Sequence, residues 1–248
     1  MSTEALRQLT ATEFTLFLRD KIGPIFGVLF PVALLSVFGN LDFFTDPVNG
    51  FDGQPLLVTF VPILVAFVIA MLALNTLPPT LAGYREQGVL RRMRTTPVGP
   101  ARVLAAQLTI CFGTAVVAVV VLLAVARLAF DVPLPRQPGA FALTAVLAAL
   151  AVIGIAVLIA AVAPTGKAAN ATGSILFYVF TFFAGLWLPL QAMPPVLRHV
   201  SEATPLGAAV TALTDASQGH WPAAWRLALL AGYALVSALL GVKLFRWE

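Results

Sequence analysis

Residues 56–77 read LLVTFVPILVAFVIAMLALNTL and contain no Asp, Glu, Lys, Arg or His. A helix rises about 1.5 Å per residue and a bilayer hydrocarbon core is about 30 Å thick, so a stretch of this length crosses a membrane. Five more apolar segments, near residues 22–39, 103–126, 140–163, 170–190 and 225–243, repeat the pattern. The prediction is an all-α integral membrane protein of six transmembrane helices, with one membrane domain over residues 1–248. Charge enters these segments only at their ends, so they offer neither a proton relay nor an ion-coupling carboxylate. A proton-coupled transporter fits poorly, and any work has to be powered from elsewhere.

Composition points the same way. The chain is 60% hydrophobic and 10% charged, whereas soluble domains carry about 25% charged residues. Its net charge of +4 raises the question of nucleic acid. The basic residues fall at span ends rather than on one soluble face, so no nucleic-acid partner is expected. Cys111 is the single cysteine and sits within an apolar run, which suits packing rather than a disulfide or a metal site.

Six spans place both termini on one side, and basic residues near span ends are retained in the cytoplasm. With the termini inside, the inner set is Arg7, Arg19, Lys21, Arg85, Arg91, Arg92, Arg94, Arg102, Lys167, Lys243 and Arg246. The outer set is Arg127, Arg136, Arg198 and Arg226, and the first outer loop carries Asp42, Asp46 and Asp52. The expected location is the plasma (inner) membrane, multi-pass, with both termini cytoplasmic. Glu4, Arg7 and Glu13 precede the first apolar run, unlike a signal peptide, so the first span is expected to be retained.

Residues 2–20 place Leu6, Leu9, Leu16 and Phe17 on one face, interrupted by Glu13. Two readings stand: an N-terminal interfacial helix, or a polar leader without fixed structure. Residues 191–224 alternate proline breaks with apolar pieces too short to cross, such as Val196–Val200 and Leu206–Leu213, which read as outer re-entrant or interfacial helices.

Catalytic material is sparse. His199 and His220 lack metal-ligand spacing, and nothing fixes a separation between Glu202 and Asp215, so no catalytic or metal residue is assigned. A phosphate-binding loop needs Gly-x-x-x-x-Gly-Lys followed by Ser or Thr. Gly166-Lys167 is followed by Ala168, and position 161 is Ala161, so the chain has no nucleotide site of this type and no cofactor of its own.

The richest inner segment runs from Tyr84 to Pro100 through Arg85, Glu86, Gly88, Leu90, Arg91, Arg92, Met93 and Arg94. Up to Thr96 it can be helical, before Pro97, Gly99 and Pro100 force a turn. Val89 or Leu90 then lies one turn from Met93, an apolar ridge flanked by arginines that suits docking into a partner's groove. The plainer alternative is an arginine cluster that only fixes orientation.

With this loop and a second stretch, Phe183-Ala184-Gly185-Leu186-Trp187-Leu188-Pro189-Leu190 followed by Met193-Pro194 and Thr204-Pro205-Leu206, the chain resembles the membrane subunits of type 2 ATP-binding-cassette exporters, including the daunorubicin-resistance type. Met93 and Ala184 depart from residues common in that family. The resemblance implies a permease that pairs with a second permease subunit, identical or related, and with two copies of an ABC ATPase that hold ATP and Mg. It also implies that Arg85, Glu86, Gly88, Leu90, Arg91, Arg92, Met93 and Arg94 form the coupling helix and that the direction is export; the family's cargoes are too varied to carry over, and a hydrophobic or amphipathic compound is the cargo expected here. In the fifth span Phe180, Phe183 and Trp187 fall in one arc at 100° per residue, a candidate pathway or dimer face unless they merely pack or meet lipid. Gly113, Ala148, Ala149 and Gly154 mark the third and fourth spans as closely packed scaffold. Asn75 and Asn170 either bond between helices or, on the preferred reading, reach headgroups. The rival functions are a membrane enzyme or a noncatalytic assembly subunit handling lipid-linked intermediates.

Overall fold

A computed structural model describes residues 25–51, 53–93 and 100–244, and its regular elements there are helical throughout. The interfacial segment expected at residues 2–20 lies outside the described residues, as does Arg94. A π-helical turn, Ile25–Leu29, runs into α1 (Phe30–Gly39) and a short α2 (Asp42–Thr45). Then come α3 (Leu56–Glu86), α4 (Val89–Met93), α5 (Pro100–Phe130), α6 (Pro138–Val162) and α7 (Gly166–Phe183). The chain closes with α8 (Pro195–Ala203), α9 (Pro205–Gln218) and α10 (Ala224–Leu244). Among the described residues four helices, α3, α5, α6 and α10, are long and apolar enough to cross a membrane. α1 is shorter, and the first half of α7 is diluted by Lys167, Asn170, Thr172 and Ser174.

The bundle is built around α3. Leu64, Val65, Ala66, Val68, Ala70 and Leu74 are fully buried, and neighbours pack on it from several sides: α6, α7, α5, α1 and α9. At one end Phe38 stacks on Phe44 at 4.4 Å, and Phe60 meets both rings edge-on at 5.2 Å, tying α1, α2 and the start of α3 together.

α3 runs nine residues beyond the expected end at Leu77, straight through Pro78 and Pro79. Proline removes the amide that would bond the carbonyl four residues back, and a neighbouring helix can take over the freed group. Pro78 frees the Leu74 carbonyl, and this is the atom against which Gly173 of α7 lies, so close that a Cβ there would overlap it. One residue on, Ser174 Oγ donates to Asn75 Oδ1 at 3.1 Å. Asn75 therefore bonds between helices instead of reaching headgroups, while Asn170 is exposed.

α7 ends at Phe183, not near residue 190. Gly185 takes φ +93, and the Gly185 and Leu186 amides donate to the Phe182 and Thr181 carbonyls, the glycine-closed helix end known as a Schellman motif. The expectation of two tightly packed small-residue spans holds for only one of them. Gly154 of α6 lies against Ser237 of α10, but Gly113 of α5 has open space around it.

Candidate functional site

The end of α3 and the short α4 form an elbow at one end of the bundle. α3 closes on Gln87, and Gly88 follows at φ +68, a left-handed conformation that glycine adopts without penalty. The segment read as one helix from Tyr84 to Thr96 is thus divided. Arg85 and Glu86 belong to the last turn of the long helix, and among the described residues Val89–Met93 forms the short one.

The division separates two jobs. Arg85 Nη1 donates to the carbonyls of Ala160 (3.1 Å) and Ala161 (3.0 Å), and Nη2 donates to that of Ala163. These are carbonyls at the C-terminal end of α6, where helix-end oxygens lack amide partners and carry partial negative charge. Glu86 Oε2 accepts from the Gly166 amide at 2.9 Å, the first residue of α7, where unpaired amides carry the opposite partial charge. Thr165 caps the same helix through the Ala168 amide (3.1 Å). Two adjacent side chains of opposite charge therefore grip two helix ends of opposite polarity and fasten the α6–α7 turn to α3. Each charge-assisted bond to the partly buried Arg85 is worth about 1.5–3 kcal/mol, and the exposed Glu86 about 0.3–1 kcal/mol.

Beyond Gly88, Arg91 and Arg92 are exposed, and Val89 and Met93 are half-buried on α4; the side chain of Leu90 lies outside the described residues. On the other side of the elbow Gln107 Nε2 of α5 donates to Tyr84 Oη at 3.4 Å. The site residues read from the sequence thus divide into Arg85 and Glu86, bonded to the ends of α6 and α7, and the short basic helix that follows them.

The aromatic trio does not form one face. Phe180 packs against the core, Phe183 is half-buried, and Trp187 is 58% exposed in the turn after the helix. The outward strip of α7 is instead Ile175, Tyr178, Val179 and Phe182, at the spacing of a single helix face.

At the opposite end of the bundle the acids and bases are sorted into pairs. Arg226 Nη1 meets Asp215 Oδ2 at 2.6 Å, while Arg198 Nε meets Glu202 Oε1 at 3.4 Å one turn along α8. Burial pushes the Asp215 carboxyl above its ordinary range, against the opposing pull of Arg226. The Arg198 pair is an i, i+4 spacing open to anyone reading the sequence. Asp215 and Arg226 are brought together by the turn after Gly219 (φ +97), for which the sequence offers little beyond the glycine itself. Among the described residues no group of three or more His, Cys, Asp or Glu side chains is placed to hold a metal.

Residues 4–216 match the family described as ABC-2 type transporter. No curated protein matches the chain.

Proposed function

The chain belongs to the ABC-2 type transporter family, and from that premise we propose that it is the membrane subunit of an ATP-driven exporter, carrying a hydrophobic or amphipathic compound out of the cytoplasm. As a family member it is a multi-pass transmembrane component of an ABC transporter, a class that generally works with an ABC ATPase. The proposed assembly has two ATPase subunits, which bind ATP and Mg, beneath this chain and a second permease, identical or related. In it α1 and α7 complete six spans in the plasma membrane, with both termini and the Gly88 elbow in the cytoplasm. The subtype proposed is the daunorubicin-resistance type.

Closure of an ATPase around nucleotide shifts a permease only through contacts that differ between the two states. α4 is the lever we assign to that contact. The observation that carries the reading is the arrangement at the elbow: exposed Arg91 and Arg92 lie beyond Gly88, and just before it Arg85 and Glu86 are bonded to the ends of α6 and α7. A force on α4 then reaches three helices at once.

The test is Arg91→Glu in the purified complex. Membrane insertion is expected to remain intact while the ATPase subunit co-purifies poorly and cargo-stimulated ATP hydrolysis falls about tenfold, the effect of losing one charge-assisted contact. Wild-type ATPase recovery and efflux would remove α4 from the docking role.

A further inference from the structure

Between α5 and α6 the bundle leaves a groove. The two helices are joined by only residues 131–137, yet they touch sparsely, and α5 is the more exposed of the two. The gap holds about 490 Å³ and every side chain lining it is apolar, from Ile69 and Phe112 at its deep end to Leu134 and Pro138 at the loop. That volume lies within the roughly 300–1,000 Å³ of small-molecule sites. Leu123 and Pro135 form its upper wall, and both also line a second cavity of about 270 Å³.

The second cavity is of different character. Arg136, His220, Gln54, Gln191 and Gln218 contribute to it, and among the described residues no Asp or Glu lines it. The Arg136 side chain makes no ion pair among the described residues. The all-apolar groove and the more polar cavity thus meet at a shared wall, Leu123 and Pro135, with Arg136 beside it. In a membrane the fluid bathing the groove is acyl chain, and at a bilayer surface a basic residue attracts an anionic headgroup.

We propose that groove and cavity form one binding site for a bilayer lipid with an anionic headgroup, its acyl chain lying between α5 and α6 and its phosphate against Arg136. The lipid belongs to the outer leaflet, a placement that rests on the orientation given under the proposed function. The site lies away from both the elbow and the outward strip of α7. A lipid held there would fill the space that α5 and α6 leave between them.

The experiment uses the complete transporter complex in nanodiscs of phosphatidylcholine with or without phosphatidylglycerol. A benzophenone amino acid replaces Val120, an exposed residue lining the groove, and lipid adducts are weighed by mass spectrometry. The expected result is preferential capture of phosphatidylglycerol. Arg136→Gln is expected to lower that capture about fivefold, the effect of one basic residue at an anionic surface, and to leave phosphatidylcholine capture unchanged. Ala142→Trp, on an exposed groove position where added bulk displaces lipid rather than core, is expected to lower both adducts. Equal capture of the two lipids, or no response to Arg136→Gln, overturns the proposal in favour of ordinary surrounding lipid. A Gly139→Cys, Cys111→Ser variant, with open space at position 139, tests the leaflet separately through an impermeant maleimide. Outside labelling supports the placement. Labelling only after permeabilisation overturns the orientation whether or not the phosphatidylglycerol preference survives.

Discussion

α3 and α5 are each 31 residues long and nearly equal in hydropathy, yet 83% of the most apolar stretch of α3 is buried within the chain against 28% for α5. In water, such a difference in burial would leave a different sequence behind, because the exposed helix would carry a polar face. In lipid the solvent is as apolar as the core, so the exposed helix keeps Val116, Val117 and Val120 on its surface at no cost. What separates the two helices is shape and polar detail. α3 has its proline-freed carbonyl, the Asn75 bond and the charged grip at its end, and α5 has open space at Gly113.

Truncating packing gives the largest expected contrast. Leu64→Ala in α3 is expected to cost about 2 kcal/mol of stability in mixed micelles, the low end for buried Leu→Ala because lipid already solvates the unfolded helix. Val117→Ala in α5 should cost under about 0.5 kcal/mol by the same unfolding assay. Equal losses would show that α5 is buried by something the single chain lacks.

Adding one carbon reverses the sign between the α7 surface packed on α3 and the open surface of α5. Gly173→Ala drives a Cβ into the Leu74 carbonyl and is expected to destabilise by about 1–3 kcal/mol. Gly113→Ala meets nothing and is expected to stabilise by about 0.4–1 kcal/mol, since it only restricts the unfolded chain. Thermal unfolding of the two purified variants side by side measures both.

Arg85→Gln keeps a donor but loses the charge at the α6 end. A stability loss of about 1.5 kcal/mol is expected, together with faster amide exchange at residues 163–166, where the α6–α7 turn is held. Unchanged exchange there would mean that Glu86 and Thr165 fix the turn without Arg85.

The smallest effect is a pH dependence on α9, which packs on α3 and α6. Because burial raises the native carboxyl of Asp215 above its unfolded value, the folded state binds the proton more readily. Its contribution is fully present below the ordinary aspartate value of about 3.9 and fades as pH rises through the raised native value. Wild-type protein should therefore gain melting temperature relative to Asp215→Asn as pH falls through the carboxylate range.

How much of this was readable from the chain follows from the same contrast. Uncharged length gave the positions of the apolar helices to within a few residues, with the larger errors at α3 and α7. There local closure decides: Pro78 and Pro79 look like a stop but are spanned, while Gly185 looks incidental but ends the helix. That turn also explains why Trp187 leaves the arc of Phe180 and Phe183, since 100° per residue holds only while the helix lasts. α8 and α9 were visible through Pro195 and Pro205, each standing at a first helical position. The elbow was half legible. Its composition marked it, but the partners of Arg85 and Glu86 lie some eighty residues on, and no local pattern announces which helix ends will be neighbours.

The grip of Arg85 and Glu86 also dictates what can travel together. Turning α3 about its own axis would pull the two side chains away from different helices in different directions, so twisting is resisted while translation is not. If α4 is the lever proposed above, a thrust through Gly88 would carry the ends of α6 and α7 along with α3, and the exposed Ile175–Phe182 strip of α7 with them.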